Sequence, residues 1–258
     1  MLRGEQGQAV VEAAILLPAM VFLMLMTIQL AMLQQARLMA DYAAFSAART
    51  GIVQNGNNGT NNAGTAGPMH DAAVLAVLPT YGRTDSFTAL AATAVRFKAE
   101  DLVLKAAGLS QVQVFVLNPV APDFRTWGGH LNGQELDFDD VRPGATDATL
   151  LSLQVRYLYE LRVPFANKMI QSVWMAARVG LLGQWRGFDW TAPRVAGADA
   201  LAASRAAAAG QTVADGTPEG IKVGALVVAG AAGRFYLPVE AYYTMRMQSN
   251  PYLKWAHP

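Results

Sequence analysis

Residues 1–37 read MLRGEQGQAVVEAAILLPAMVFLMLMTIQLAMLQQAR, and this stretch decides the plan of the molecule. From Ala13 to Ala36 no side chain carries a formal charge, and Leu, Met, Ile, Val and Phe dominate. At about 1.5 Å of rise per residue, a helix over this run exceeds the roughly 30 Å hydrocarbon core of a bilayer. A helix also satisfies its own backbone hydrogen bonds, which a lone segment in lipid must do. The apolar core of a cleaved secretory signal is shorter, roughly 7–15 residues. The small-residue site Ser46-Ala47-Ala48 lies far downstream of the run. The reading is therefore an uncleaved N-terminal anchor. Arg3 and the amino terminus precede it, Arg37 and Asp41 follow it, and the small charge asymmetry leans toward a cytoplasmic N-terminus.

Two residues depart from a plain anchor. Glu12 opens the apolar run. A carboxylate there either stays at the interface at little cost, with no further role, or sits deeper at a cost of a few kcal/mol and calls for a partner. Pro18 removes a backbone donor and kinks a helix, which membrane helices tolerate when neighbours compensate.

The segment Gly7-Gln8-Ala9-Val10-Val11-Glu12 resembles a type IV prepilin processing site. The wider stretch, with Glu12, Ala14, Leu16, Leu17 and Pro18, is similar to the TadE-like pseudopilins of tight-adherence (Tad/Flp) pili, although Ala13 stands where that family often has an aromatic residue. The resemblance implies that residues 1–7 are a prepilin-type leader. A membrane-embedded prepilin peptidase would cut between Gly7 and Gln8, and Glu12 would become the fifth residue of the mature chain. Glycine before the cut leaves the backbone unobstructed for a protease. The new amine of Gln8 and the Glu12 carboxylate of a neighbouring subunit would then satisfy two charges that are each expensive alone in an apolar bundle.

The same resemblance implies the partners and the place. These are other pilins and the Tad envelope machinery through helix packing, the peptidase, and membrane lipid. The location is the bacterial inner membrane, single-pass, with the C-terminal domain periplasmic or carried into the extracellular pilus. The later segments DATLLSLQVRYLYELRVPFANKMI and RFYLPVEAYYTMRMQSNP also resemble the sheet segments of TadE-like proteins.

Beyond the anchor, LQQARLMADYAAFSAART continues as a helix, with Leu38, Tyr42, Phe45 and Arg49 three or four residues apart on one mostly apolar face. Gly51 is its expected stop. The methionines Met20, Met24, Met26, Met32 and Met39 suit adaptable packing against other helices, and equally suit lipid. Residues 54–68, QNGNNGTNNAGTAGP, are low-complexity and read as a flexible loop carrying an Asn58-Gly59-Thr60 sequon.

Helical spacing returns over Met69–Leu78 and Leu90–Ala107. Gln111–Val116 alternates as a strand and ends at Asn118-Pro119, and residues 119–146 read as a loop. Thr149–Arg162 is the clearest strand. Its face of Leu151, Leu153, Val155, Tyr157 and Tyr159 is expected to be buried, and its face of Ser152, Gln154, Arg156 and Glu160 wet. Phe165–Leu182 reads as a short amphipathic helix, packed on the sheet or lying on the bilayer. Ala198–Ala209 is helix-prone, and Leu237–Met247 is a last strand whose Pro238 suits an edge. The expected architecture is α+β. One transmembrane helix continues as a stem packed on a small antiparallel sheet, with inserted helices and loops. It divides into leader 1–7, transmembrane and stem helix 8–50, loop 51–68 and exported domain 69–258.

Composition excludes much else. Hydrophobic residues make up 53% and charged residues 15%, as one apolar segment plus an ordinary exported domain would give. The net charge of +1 offers no basic surface for nucleic acid. The absence of cysteine removes disulfides, thiolate catalysis and thiolate metal sites. His70, His130 and His257 have no metal-ligand spacing, and the acidic cluster Glu135, Asp137, Asp139 and Asp140 lacks the EF-hand pattern. No nucleophile elbow or phosphate loop occurs. The expectation is a protein that is not an enzyme and uses no cofactor. An unprocessed, membrane-anchored periplasmic scaffold or binding protein is the alternative. An exported hydrolase released near Ala48 is a third reading.

Overall fold

The computed structural model describes residues 3–59, 64–106, 108–178, 226, 229–230 and 232–256. One helix, α1 (Arg3–Val53), is 51 residues long and contains Pro18. At about 1.5 Å per residue it is roughly 76 Å long, far more than a bilayer needs. Its first half stands clear of the rest of the chain, and its second half is the spine of the folded domain.

That spine buries Leu33, Ala36, Ala40, Ala43, Ala44, Ala47, Ala48 and Ile52, recurring every three or four residues along one face. The sequence pattern points to a different face. Leu38 and Tyr42 are each 55% exposed, and Phe45 is half-buried, its ring edge-on to Tyr243 at 5.4 Å. Close approach of helix to sheet selects small side chains, and alanines carry little hydrophobic signal. Gly51 does not stop the helix either. It is buried within the last turn, where a Cβ would run into Met69 and come 2.6 Å from Leu151 Cδ2. The end comes where Asn55 and Gly56 adopt left-handed φ values of 57° and 72°, and the Gly56 N–H reaches back to Gly51 O at 2.9 Å.

The Asn/Gly segment is fastened at both described ends. The Asn55 N–H donates to Ser249 Oγ at 2.9 Å and its side-chain amide to Asn250 O at 2.7 Å. Further on, Gly64 O accepts the Val114 N–H at 2.8 Å. Helix α2 (Pro68–Tyr81) then starts on a proline, whose missing donor costs nothing in a first turn. It packs Met69, Ala73, Val77 and Leu78 into the core. Helix α3 (Phe87–Ala106) follows, its first turn capped by Ser86 Oγ accepting the Ala89 N–H at 3.2 Å.

Three antiparallel strands, β1 (Val112–Asn118), β2 (Leu150–Glu160) and β3 (Tyr236–Arg246), form one sheet in the order β1-β2-β3. Val114, Val155 and Ala241 stand in one cross-strand row. Pro238 lies on an edge strand, opposite Leu158. Leu151, Leu153, Val155, Tyr157 and Tyr159 point into the core shared with α1 and α2, as the alternation requires.

The opposite face of β2 is not wet. Ser152 and Gln154 are fully buried, and Arg156 Nε pairs with Glu240 Oε1 at 2.9 Å with side-chain exposures of 12% and 2%. The register explains this. Phe115 and Tyr242 flank Gln154, and Gln113 and Glu240 flank Arg156. Cross-strand partners replace water for Ser152, whose Oγ meets Thr244 Oγ1 at 3.0 Å, and for Arg156, whereas the Gln154 amide is buried without a hydrogen-bond partner.

Residues 119–146 also hold more than a loop. They contain α4 (Ala121–Trp127), a 3-10 turn at Gly129–Leu131 and the start of α5 (Ala145–Ala148). Phe124 and Leu136 bury against Ala148 and Ala256 in a small satellite core. Helix α6 (Ala166–Arg178) begins where the sequence expects it and packs against α1 and β3. Residues 179–182 of that expected helix, and Ala198–Ala209, lie outside the described residues.

Candidate functional site

The bare half of α1 carries the features singled out in the sequence. From Val11 to Ile28 the only formally charged residue is Glu12. Ile15, Leu16, Leu17, Met20, Leu23 and Met24 are all exposed. In a soluble domain such a surface would be a large uncovered apolar patch, so it marks contact with lipid or with other helices. A window within this helix has a mean hydropathy of 2.3 with none of it buried, and by length and composition it can cross a membrane.

Gly7 and Gln8 lie in the early turns of α1, so the bond between them is helical here rather than extended. Glu12 is exposed, and Pro18 follows about 9 Å further along the axis. Pro18 offers no N–H to the carbonyl of Ala14, which leaves one acceptor free at apolar depth. Thr27 adds no such debt, because its Oγ1 donates to Leu23 O at 2.9 Å within the helix.

Gln29 is the first buried residue of α1 among those described, three residues after Met26 meets the core. It is 0% exposed, and its Oε1 accepts the Val163 N–H at 2.8 Å. Burial raises the pKa of the nearby Tyr159 hydroxyl, while Arg162 and a hydrogen bond with Gln29 oppose the rise. Sequence reading missed Gln29 as a junction. The signal available was a polar residue following an uncharged apolar run and preceding the evenly spaced alanines.

The other candidate groups do not converge on α1. Among the described residues no three His, Asp or Glu side chains gather as a metal set. His70 is on α2, and His130 Nε2 is 3.9 Å from Asp137 Oδ2 near the satellite core. The acidic cluster is spent on its own turns. Arg142 Nε holds both Asp140 oxygens at 3.0 and 2.8 Å, and its guanidinium keeps that carboxyl at about 2, well below the usual range. Asp137 Oδ1 accepts the Asp139 N–H at 3.1 Å, and Glu135 Oε2 accepts from Asn250 Nδ2 at 3.4 Å. The aromatic residues near the C-terminus divide. Tyr236 is buried with its hydroxyl pushed up to about 12 by burial, whereas Tyr242, Tyr243, Tyr252 and Trp255 are half-buried.

What the arrangement offers is a helix surface for packing. No curated protein and no solved structure matches the chain. Residues 7–49 match a family model described as TadE-like protein, and residues 50–258 fall outside that match. The match begins at Gly7 and ends on the buried alanine face, so it covers the anchor, the Gln29 junction and nearly all of the stem. Over its long N-terminal helix, from Gly7 to Arg49, this chain is similar to TadE-like proteins.

Proposed function

We propose that the protein is a minor pilin or pseudopilin acting in the assembly or structure of a Tad (type IVc) pilus. It is held in the inner membrane by α1 with its folded domain on the periplasmic side, and a prepilin peptidase cuts it between Gly7 and Gln8. The observation that carries this reading is the succession of features along one helix. The family match starts at Gly7, the run free of formal charge starts after Glu12, and packing on the domain starts at Met26 and is complete at Gln29.

In this reading the bare surface of α1 is where the protein meets its partners. In the membrane it faces lipid; in an assembly it faces the helices of other pilins. Glu12 and the amine of a processed Gln8 supply a charge pair that fixes the axial register of neighbouring helices. Each charge alone is costly at apolar depth, and together they satisfy one another. Cutting at Gly7–Gln8 requires the first turns of α1 to unwind into the peptidase. An isolated helix end frays readily, because its first N–H groups have no helical partner.

The test is Glu12→Gln in the native host. The expected result is an unchanged amount of protein in the membrane fraction together with a loss of assembled surface pili. Normal piliation by this variant would rule out the pairing role.

A further inference from the structure

Helix α6 carries a second apolar surface with no cover. Phe165, Met169 and Val173, spaced by four residues, are all exposed on it, with Lys168 and Ser172 exposed among them. The other side of α6 packs inward through Ala166, Ile170 and Gln171, the last donating to Tyr236 O at 3.4 Å. The outward stripe is therefore not the core face of a misplaced helix. Phe165 is 75% exposed and sits at φ 65°. That left-handed conformation is strained for a residue with a Cβ, and it stands where a large apolar ring is held outward at the start of the helix.

The position of α6 identifies what covers it. The Val163 N–H, three residues before α6, is bonded to Gln29, where α1 enters the domain. Below that junction the run free of formal charge spans Ala13–Ile28, about 24 Å at helical rise, and Met26 already packs on the core. That is no more than the thickness of a bilayer's hydrocarbon core, roughly 30 Å. No spacer is left to lift the domain away from the membrane, so whatever lies beside Gln29 meets the headgroups.

Helix α3 reaches the same end of the sheet. Leu104 clusters with Leu158 and Tyr236, and Glu100 Oε2 pairs with Arg234 Nη2 at 2.5 Å. Here α3 leaves Leu102 and Val103 exposed. Exposed Lys168 lies on α6 itself, a cation of the kind expected where an interfacial helix meets lipid phosphates, whereas Arg162 is engaged by Tyr81 O at 3.2 Å and Glu160 at 4.0 Å.

We propose that α6 lies in the headgroup region of the bilayer that α1 spans, with Phe165, Met169 and Val173 in the acyl boundary and Lys168 toward the phosphates, so that the domain rests on the membrane. This rests on α1 being the membrane anchor. The occupant is lipid because α6 starts three residues after Val163, whose N–H is bonded to Gln29 where the apolar half of α1 enters the domain.

The chain has no cysteine, so single-cysteine spin labels report one site each. The full chain is reconstituted in phosphatidylethanolamine–phosphatidylglycerol vesicles with labels at Met169→Cys, Val173→Cys, Met20→Cys or Val141→Cys. Val141 is exposed in the segment tied by Phe138 to Asn250, beyond the far end of α1. Collision with oxygen and with a water-soluble nickel chelate then gives depth. The expected result places the labels at 169 and 173 about 5–10 Å into the headgroup/acyl boundary, the depth of an interfacial helix. Position 20 should read as core and position 141 as water. A water-accessible label at 20 would remove the anchor reading itself. A core reading at 20 with labels at 169 and 173 as wet as 141 would overturn the proposal alone. Protection at 169 that vanishes as protein is diluted in lipid would assign the stripe to a second copy and also overturn it.

Discussion

His70 faces inward from the first turn of α2, 9% exposed, with its Nδ1 3.3 Å from Asp71 Oδ1. Burial lowers its pKa, and the hydrogen bond to Asp71 only partly opposes that. The neutral imidazole is thus favoured in the folded chain, while the unfolded chain titrates near 6.5. Above that value neither state binds the proton. As pH falls through it, the unfolded state takes up the proton first and stability is lost. The denaturant midpoint of the domain is therefore expected to fall between about pH 7 and pH 5.5, before most carboxylates titrate. In His70→Gln this fall should shrink. Equal slopes in the two proteins would assign the loss to other groups. Glu12, by contrast, was legible from sequence alone, because a lone carboxylate before an apolar run stands out whatever the fold does with it. His70 was seen only as a poor metal ligand, since neither its burial nor its neighbours are encoded in spacing.

At the scale of elements, length and alternation transferred well. The long helix, α2, α3 and the three strands lie where periodicity places them, within a few residues. The facing of those elements transferred poorly, for two physical reasons. On α1 the inward face is built from alanines, so bulky Leu38 and Tyr42 draw attention to a side that is open. On β2 the polar face is covered by cross-strand neighbours, and sequence does not reveal which residues lie opposite until the register is known. The alanine face gives a direct test. Ala44→Leu adds bulk where α1 meets the core and is expected to destabilise the domain by about 1–3 kcal/mol. Leu38→Ala, on the face that sequence favours, should stay within about 0.5 kcal/mol. Urea titration of the detergent-solubilised chain, followed by tryptophan fluorescence, separates them. A larger loss for Leu38→Ala would reverse the assignment of faces.

For the molecule as a whole, one helix sets the frame for everything else. Its bare half has about the length of a bilayer core, and its covered half carries a three-stranded sheet and α2 on a single face. Sequence announces the first half strongly, because an uncharged apolar run has few other uses. It announces the plan of the second half only in outline. Sequence proposes an N-terminal boundary through a resemblance centred on Gly7, Gln8 and Glu12, and the family match runs over residues 7–49. The Gln29 junction was not legible, since it depends on Val163 being brought back from the far side of the chain. In the proposed arrangement it sets, together with the stripe on α6, how the domain stands relative to the membrane.

In the proposed function this helix belongs to a pilin-type subunit processed at its N-terminus. N-terminal peptide mass spectrometry of the protein from its own membranes, wild type beside Gly7→Val, tests it most directly. A pilin-type subunit gives a mature chain beginning at Gln8 in the wild type and none in the variant. An intact N-terminus in both would contradict it and favour a permanent membrane-anchored scaffold, and a start near Arg49 would instead indicate a released, conventionally secreted domain.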